Sequence, residues 1–362
     1  MARDAAAAPL DRYFSPDYAT ARERFHRAAQ AAGARIESLA LSARGPAGEP
    51  LAIDIAWLGA TDASRVLLHA SGIHGVEAYA GSAVQLALLD EPPTLSARDA
   101  LALVHVLNPY GMAWSRRANE SNVDLNRNFL GAGETWSGAP PLYARLNPLL
   151  NPQTPPRRDA FLWRILALAV RHGYGPVKQA IGQGQYEFPR GLFYGGAQLE
   201  AGPQLFLHWL EYRLSRVQTL LAIDVHTGLG PWARDTLFSE PGRAAPAGLA
   251  AALGAGLVDT RVDASAAYAI RGGLAQGMRA ALGGRLAQCV LQEFGTYPML
   301  NILSALREEN RWHFHGRADI CHPVKAALLE ALCPRNRNWR TRVVARGTAA
   351  AHGGIRWLTH QE

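Results

Sequence analysis

Four groups of polar residues in this chain each stand at the end of an apolar run. RVLLHA (65–70) leads into SGIHGVE, which carries His74 and Glu77 in an HxxE spacing at a turn that opens a helix. ALALVHVLN (100–108) leads to RRANESNVDLNRNF (116–129), TLLAIDVH (219–226) delivers His226, and LAQCVLQEF (286–294) delivers Glu293. Open α/β folds place their chemistry at the carboxyl ends of sheet strands. A histidine, a glutamate three residues later and a distant histidine form the donor set of a catalytic zinc site that leaves one position for water. One Zn2+ per chain, held by His74, Glu77 and His226, is the expected cofactor. Such an ion acidifies water and polarises a carbonyl. A separate carboxylate must then carry the water's proton to the leaving nitrogen, and Glu293 is the candidate. Taken singly, each group is a weak signal, because HxxE arises by chance and a strand-end histidine is commonly structural. The assignment rests on all four meeting at one edge of one sheet.

The elements that must bring them together can be read in outline. Residues 16–32 have the pattern of an amphipathic helix, and 35–43 and 51–58 are expected to pair as strands around GPAGEP. From residue 65 the apolar runs named above alternate with helices at 76–89, 203–217 and 245–257, and helices near 301–313 and 323–332 close the fold. Strands alternating with helices predict an α/β domain: a three-layer α/β/α sandwich around a twisted mixed, mostly parallel sheet. A single catalytic domain over residues 1–362 is expected. Residues 131–202 break the rhythm with a proline-rich run (139–156), one helical segment near 159–172 and a glycine-rich stretch ending GLFYGG. They read as an insertion, a lid or rim on the sheet. No internal repeat is evident.

Composition narrows the classes. Hydrophobic residues make up 48% of the 362 and charged ones 19%, enough apolar content for a sizeable core. Cys289, Cys321 and Cys333 are odd in number and lack CxxC spacing, which excludes a disulfide framework or a thiolate zinc site. Nothing near the N-terminus reads as a secretory signal, and no run approaches the ~20 apolar residues of a membrane helix. A cytoplasmic protein without membrane partners is the expectation. The net charge of +7 raises nucleic acid, but the positive charge is arginine spread along the chain, with only Lys178 and Lys325 as lysines. No nucleic-acid module accompanies it, so none is expected as a partner.

The motifs HGVE (74–77), NPYG (108–111), VDLNRNF (123–129), DVHTG (224–228), YAIRGG (268–273) and QEFG (292–295) give the chain a resemblance to the zinc carboxypeptidase superfamily, in a largely uncharacterised bacterial branch. VDLNRNF is the most specific of them. The resemblance implies a zinc-carboxypeptidase-like (phosphorylase-hydrolase-like) fold, with zinc on His74, Glu77 and His226 and Glu293 as general base. It implies that Asn126 and Arg127 grip a substrate carboxylate, for which a guanidinium's two parallel N–H donors are suited. It also implies an upstream arginine that polarises the carbonyl, Arg117 by position, with Arg116 its close rival. Asp124 resembles the carboxylate that orients the first zinc histidine, and Tyr268 the family's mobile tyrosine. Ala275 falls near where such enzymes read the departing side chain; small and neutral, it argues against direct pairing with a charged one. Asp224 shares a strand face with His226, as a support for it or as a structural residue. His105, His172, His208, His313 and His315 have no companions at ligand spacing, and Cys289 reads as core.

These readings converge on a zinc-dependent metallohydrolase that cuts an amide next to a free carboxylate, by removal of a C-terminal residue from short peptides. The alternative keeps the metal and changes the substrate: an N-acyl-amino-acid amidohydrolase of the aspartoacylase or succinylglutamate desuccinylase type, whose relatives share HxxE and DLNR. A non-catalytic binding protein on the same fold is the reading from another class, against which the complete donor set argues.

Overall fold

The computed structural model describes residues 10–259, 269–317 and 319–361. Among these, eight strands form one sheet: β1 (Arg35–Arg44), β2 (Pro50–Gly59), β3 (Arg65–Ser71), β4 (Asp99–His105), β5 (Thr219–Gly228), β6 (Asp235–Ser239), β7 (Leu257–Asp259) and β8 (Leu286–Gly295). Their order across the sheet is β1-β2-β4-β3-β5-β8-β6-β7. The central run β4-β3-β5-β8 is parallel, as is β6-β7, while β1-β2, β2-β4 and β8-β6 are antiparallel. The sheet is therefore mixed with a parallel centre. Its central strands are buried on both faces, which is why they read as unbroken apolar runs.

Alternate strand residues feed two separate cores. Leu67, Leu101, Leu221, Ile223, Val290 and Phe294 pack with α1 (Tyr18–Ala31), α2 (Ala78–Asp90), the short α3 (Pro109–Ala113), α8 (Leu249–Leu253) and α12 (Arg337–Thr359). Val66, Leu68, Ala102, Val104, Leu220 and Ala222 pack on the other face with α7 (Ala201–Arg213) and α9 (Leu274–Leu282). These are the three expected layers. α1 begins where Asp17 accepts the Thr20 N–H at 2.8 Å, an N-cap that satisfies one of the first-turn donors.

The differences from the expected elements have local causes. The span 245–257 is a five-residue helix stopped by left-handed Gly254 and followed by β7. Between residues 131 and 202 there are three helices instead of one: α4 (Pro141–Leu150), α5 (Phe161–His172) and α6 (Tyr174–Gly182). Together with α10 (Met299–His315) and α11 (Pro323–Leu332) they enclose a third apolar cluster, which includes Leu146, Ile165, Val177, Ile302, Leu306 and Leu328. The fold also does not close with α11. α12 follows and lies on the sheet, its glycines admitting close neighbours: a Cβ on Gly353 would collide with the carbonyl of Ala252, and one on Gly347 with Val84. The arginine-rich composition of its first half hid this helix from a search for apolar periodicity.

Candidate metal centre and its cavity

The turn after β3 and the turn after β4 are locked together by backbone. Asn108 accepts the Gly111 N–H at 2.8 Å, Gly75 N–H donates to Arg117 O at 3.2 Å, and Val76 N–H donates to Arg116 O at 2.9 Å. Gly75 has no room for a side chain, since a Cβ there would overlap the backbone of Gly111. The glycines of HGVE and NPYG are thus a pair of touching turns. The consequence is that the 116–117 segment is pinned beside Glu77, the residue from which α2 starts.

β5 supplies the second wall. Its two-residue period puts Asp224 and His226 on one face, and its parallel register with β8 sets His226 directly opposite Glu293. One ligand atom each of His74, Glu77 and His226 lies within 4.8 Å of the others, and all three residues are buried. His74 Nδ1 stands 3.0 Å from Glu77 Oε1, and His226 Nδ1 stands 3.4 Å from Glu77 Oε2. The outer nitrogens each meet an aspartate: His74 Nε2 to Asp124 Oδ1 at 3.0 Å, and His226 Nε2 to Asp224 Oδ2 at 2.7 Å. A carboxylate on Nε2 fixes the proton there and turns the Nδ1 lone pair inward, as a metal-binding imidazole requires. His74 Nδ1 is buried without a hydrogen-bond partner. A buried orphan nitrogen in a His₂Glu donor set fits a metal ion.

Arg117 lies over this group. It donates to Glu77 Oε1 at 2.9 Å and to Asp124 Oδ2 at 3.0 Å, and its Nη2 stands 2.8 Å from His74 Nε2. Burial by itself would raise the Glu77 carboxyl, but His74, His226 and Arg117 around it hold it well below the usual range. Asp124 is held low in the same way, its burial overcome by Arg117, His74 and Arg127. Glu293 goes the other way: burial pushes it up to about 7, with His226 opposing and Glu77 adding. Its Oε1 accepts the Leu229 N–H at 2.8 Å.

All of these side chains except Asp124 line one cavity of about 480 Å³. Asn126 and Arg127 line it too, held from behind. Asn126 Oδ1 accepts the Leu274 N–H at the start of α9 at 2.9 Å; Arg127 donates to Gly182 O at the end of α6 and to Asn126 O. Arg116 does not reach the cavity. It is buried against Glu309 at 3.0 Å and the Asn122 side chain at 2.8 Å, and Lys325 joins the same carboxylate at 2.6 Å. The substrate-contact role expected of Arg116 is therefore corrected to an internal ion pair, because consecutive residues leave this turn in opposite directions. Tyr268 lies outside the described residues. Of the histidines read as structural, His105 is buried beside Ser82, its Nε2 3.0 Å from the hydroxyl.

Sequence reasoning missed several cavity residues. Lys178 and Ile181 of α6, Phe193, and the ion pair of Glu240 with Arg279 (2.6 Å) all line it, and so does Cys289, whose N–H donates to Glu240 at 2.9 Å. Glu240 and Arg279 are far apart in sequence and share no spacing that could have flagged them. Ala275 also lines the cavity.

The sequence matches the family described as "Protein of unknown function (DUF2817)" over residues 14–346. No curated protein matches it. Among solved structures, bovine thrombin-activatable fibrinolysis inhibitor in complex with tick carboxypeptidase inhibitor aligns with a TM-score of 0.48 at 10% identity, over 96% of this chain and 99% of that one. Carboxypeptidase A from Helicoverpa armigera aligns with a TM-score of 0.48 at 13% identity, over 93% and 73%. Murein-tripeptide amidase from Escherichia coli O157 aligns with a TM-score of 0.36 at 18% identity, over 77% and 92%. Identities this low speak to the course of the chain alone.

Proposed function

Since the chain belongs to the family DUF2817, whose description assigns no activity, we propose its function from its own site: zinc-dependent hydrolysis of an amide bond adjacent to a free carboxylate, as in removing the C-terminal residue of a short peptide. The observation that carries this reading is the convergence of His74, Glu77 and His226, with Glu293 set opposite His226 by strand register. His74 Nδ1, a Glu77 oxygen and His226 Nδ1 would hold the ion, with Asp124 and Asp224 fixing the imidazoles. A zinc ion there supplies Lewis acidity, which polarises the scissile carbonyl and acidifies water.

The remaining work belongs to side chains. Glu293 takes a proton from water as the water oxygen bonds to the carbonyl carbon, then delivers it to the nitrogen as the C–N bond breaks. Burial raises its pKa and so favours the protonated form from which the second transfer is made. Arg117 brings positive charge to the place where the carbonyl oxygen becomes negative. Arg127 and Asn126 receive the carboxylate of the departing residue, which fixes which bond lies over Glu293.

The test pairs metal analysis with a substrate comparison. Protein purified without added metal should carry about one zinc per chain. It should cleave peptides with a free C-terminus about tenfold to a hundredfold faster than their amides, the value of a charge-assisted hydrogen bond. Arg127→Ala should lose as much on the free acid and little further on the amide. Equal cleavage of acid and amide by the parent enzyme would reject the clamp.

A further inference from the structure

The cavity has two unlike sides. Asn126 rests against the start of α9, where Ala275, Gln276 and Arg279 also face the space, and Arg127 beside it is held by Gly182 O at the end of α6. The other side is built by α10, with Met299, Ile302, Leu303 and Leu306; Lys178 and Ile181 of the inserted segment and Phe193 also line the cavity, and Phe193 lies under the Arg127 guanidinium. The four from α10 recur at helical spacing and form one face. Charged residues of the same helix turn elsewhere: Arg307 pairs with Asp159, Glu309 with Arg116 and Lys325, and Arg311 with Glu308. None of the α10 residues facing the cavity is charged.

This apolar side adjoins the reacting centre. Gly228, two residues past His226, has no side chain; the space beside its Cα is bordered by Leu332, Glu293 Oε1 and Ile302, each 3.4–3.8 Å from where a Cβ would lie. A substrate with its carboxylate on Arg127 and its carbonyl over His74, Glu77 and His226 therefore continues past Glu293 along Ile302 and its neighbours. That continuation is the acyl half of the amide. The geometry points to a substrate class: an amino acid whose nitrogen carries a bulky, uncharged, apolar acyl group, housed along the apolar face of α10. This deepens the hydrolase reading and rests on it for the direction of the chain. Water adds across the C–N bond, and the products are the apolar carboxylic acid and the free amino acid.

The experiment uses the intact, zinc-loaded enzyme and a series of N-acyl-alanines with acetyl, butanoyl, hexanoyl and octanoyl groups. In parallel, their binding to Glu293→Gln is followed by calorimetry. kcat/KM should rise about fourfold per methylene until the space is filled, the increment expected for burying a CH₂ group. Met299→Gln, at the half-exposed end of the wall, and Leu303→Asn should lower the octanoyl-to-acetyl ratio at least fivefold, with zinc content reporting that each has folded. Hydrolysis whose rate is flat or falling with chain length overturns the acyl site and leaves the hydrolase standing. Affinity for Glu293→Gln that climbs with chain length, without turnover by the parent, supports the acyl site and rejects the hydrolase. Neither turnover nor length-dependent binding overturns both.

Discussion

Glu293 and His226 face each other across one strand pair, and their protonation goes in opposite directions. For His226, burial works against the charged ring, but Asp224 and Glu77 outweigh it and raise the pKa well above the ordinary value. A metal-free site therefore keeps a proton that an incoming ion must displace. Zinc binding should release at least one proton and weaken as pH falls, which calorimetry in buffers of different ionisation enthalpy measures. His226→Ala should lose the metal with the fold retained. Glu293→Gln should keep zinc and lose activity by at least the ~10²-fold typical of a removed general base. In metal-free protein the same change has a stability signature. Glu293 is raised to about 7 in the fold, above the usual carboxylate range. Its contribution is complete below the unfolded pKa and is lost as pH rises toward 7. Glu293→Gln should thus gain in Tm relative to the parent between pH 5 and pH 8; a gap that does not change with pH would place the charge elsewhere. His74, Glu77, His226 and Glu293 were legible as a set, because four polar groups at the ends of apolar runs pointed to one sheet edge and the motifs around them carried the family resemblance. Arg116 and Arg117 were not separable that way, since only the turn that carries them decides which faces the metal residues.

The elements owe their site-building role to close contacts that sequence shows only as glycines. Gly75→Ala forces a Cβ into the backbone of Gly111. It should cost about 1–3 kcal/mol, as overpacking does, and lower zinc occupancy by moving His74 and Glu77. Unchanged Tm and metal content would refute the contact. The central strands and α2 were readable because burial on both faces leaves unbroken apolar runs. β6 and β7 were not, being five and three residues long at the edge of the sheet. The inserted segment was visible as a break in rhythm, and the helical segment read near 159–172 is α5, but the other two helices were masked by prolines: α4 contains Pro148 within its span. Lys178 and Ile181 were invisible as cavity residues for the same reason, since α6 itself was not foreseen.

Across the whole molecule, the C-terminal helix ties distant parts together. Trp339 of α12 is fully buried and donates to Gly295 O at 2.9 Å, two residues beyond Glu293. Trp339→Ala should destabilise by about 3–5 kcal/mol, with thermal unfolding as the measure, and loosen Glu293 through the end of β8. At the helix's other end Arg65 donates to Thr359 O and Gln361 O at 3.1 and 2.8 Å while pairing with Asp99, so β3 and β4 are fastened at the end remote from the candidate metal residues. α12 covers the middle of a sheet whose strands are all made earlier in the chain. During synthesis, therefore, a nascent chain that already carries His74, Glu77, His226 and Glu293 still lacks the helix whose Gly354 lies against Leu67 and Leu221. The edge that carries the candidate site is therefore completed by residues that do not line its cavity, and until α12 emerges that face of the sheet is only partly covered.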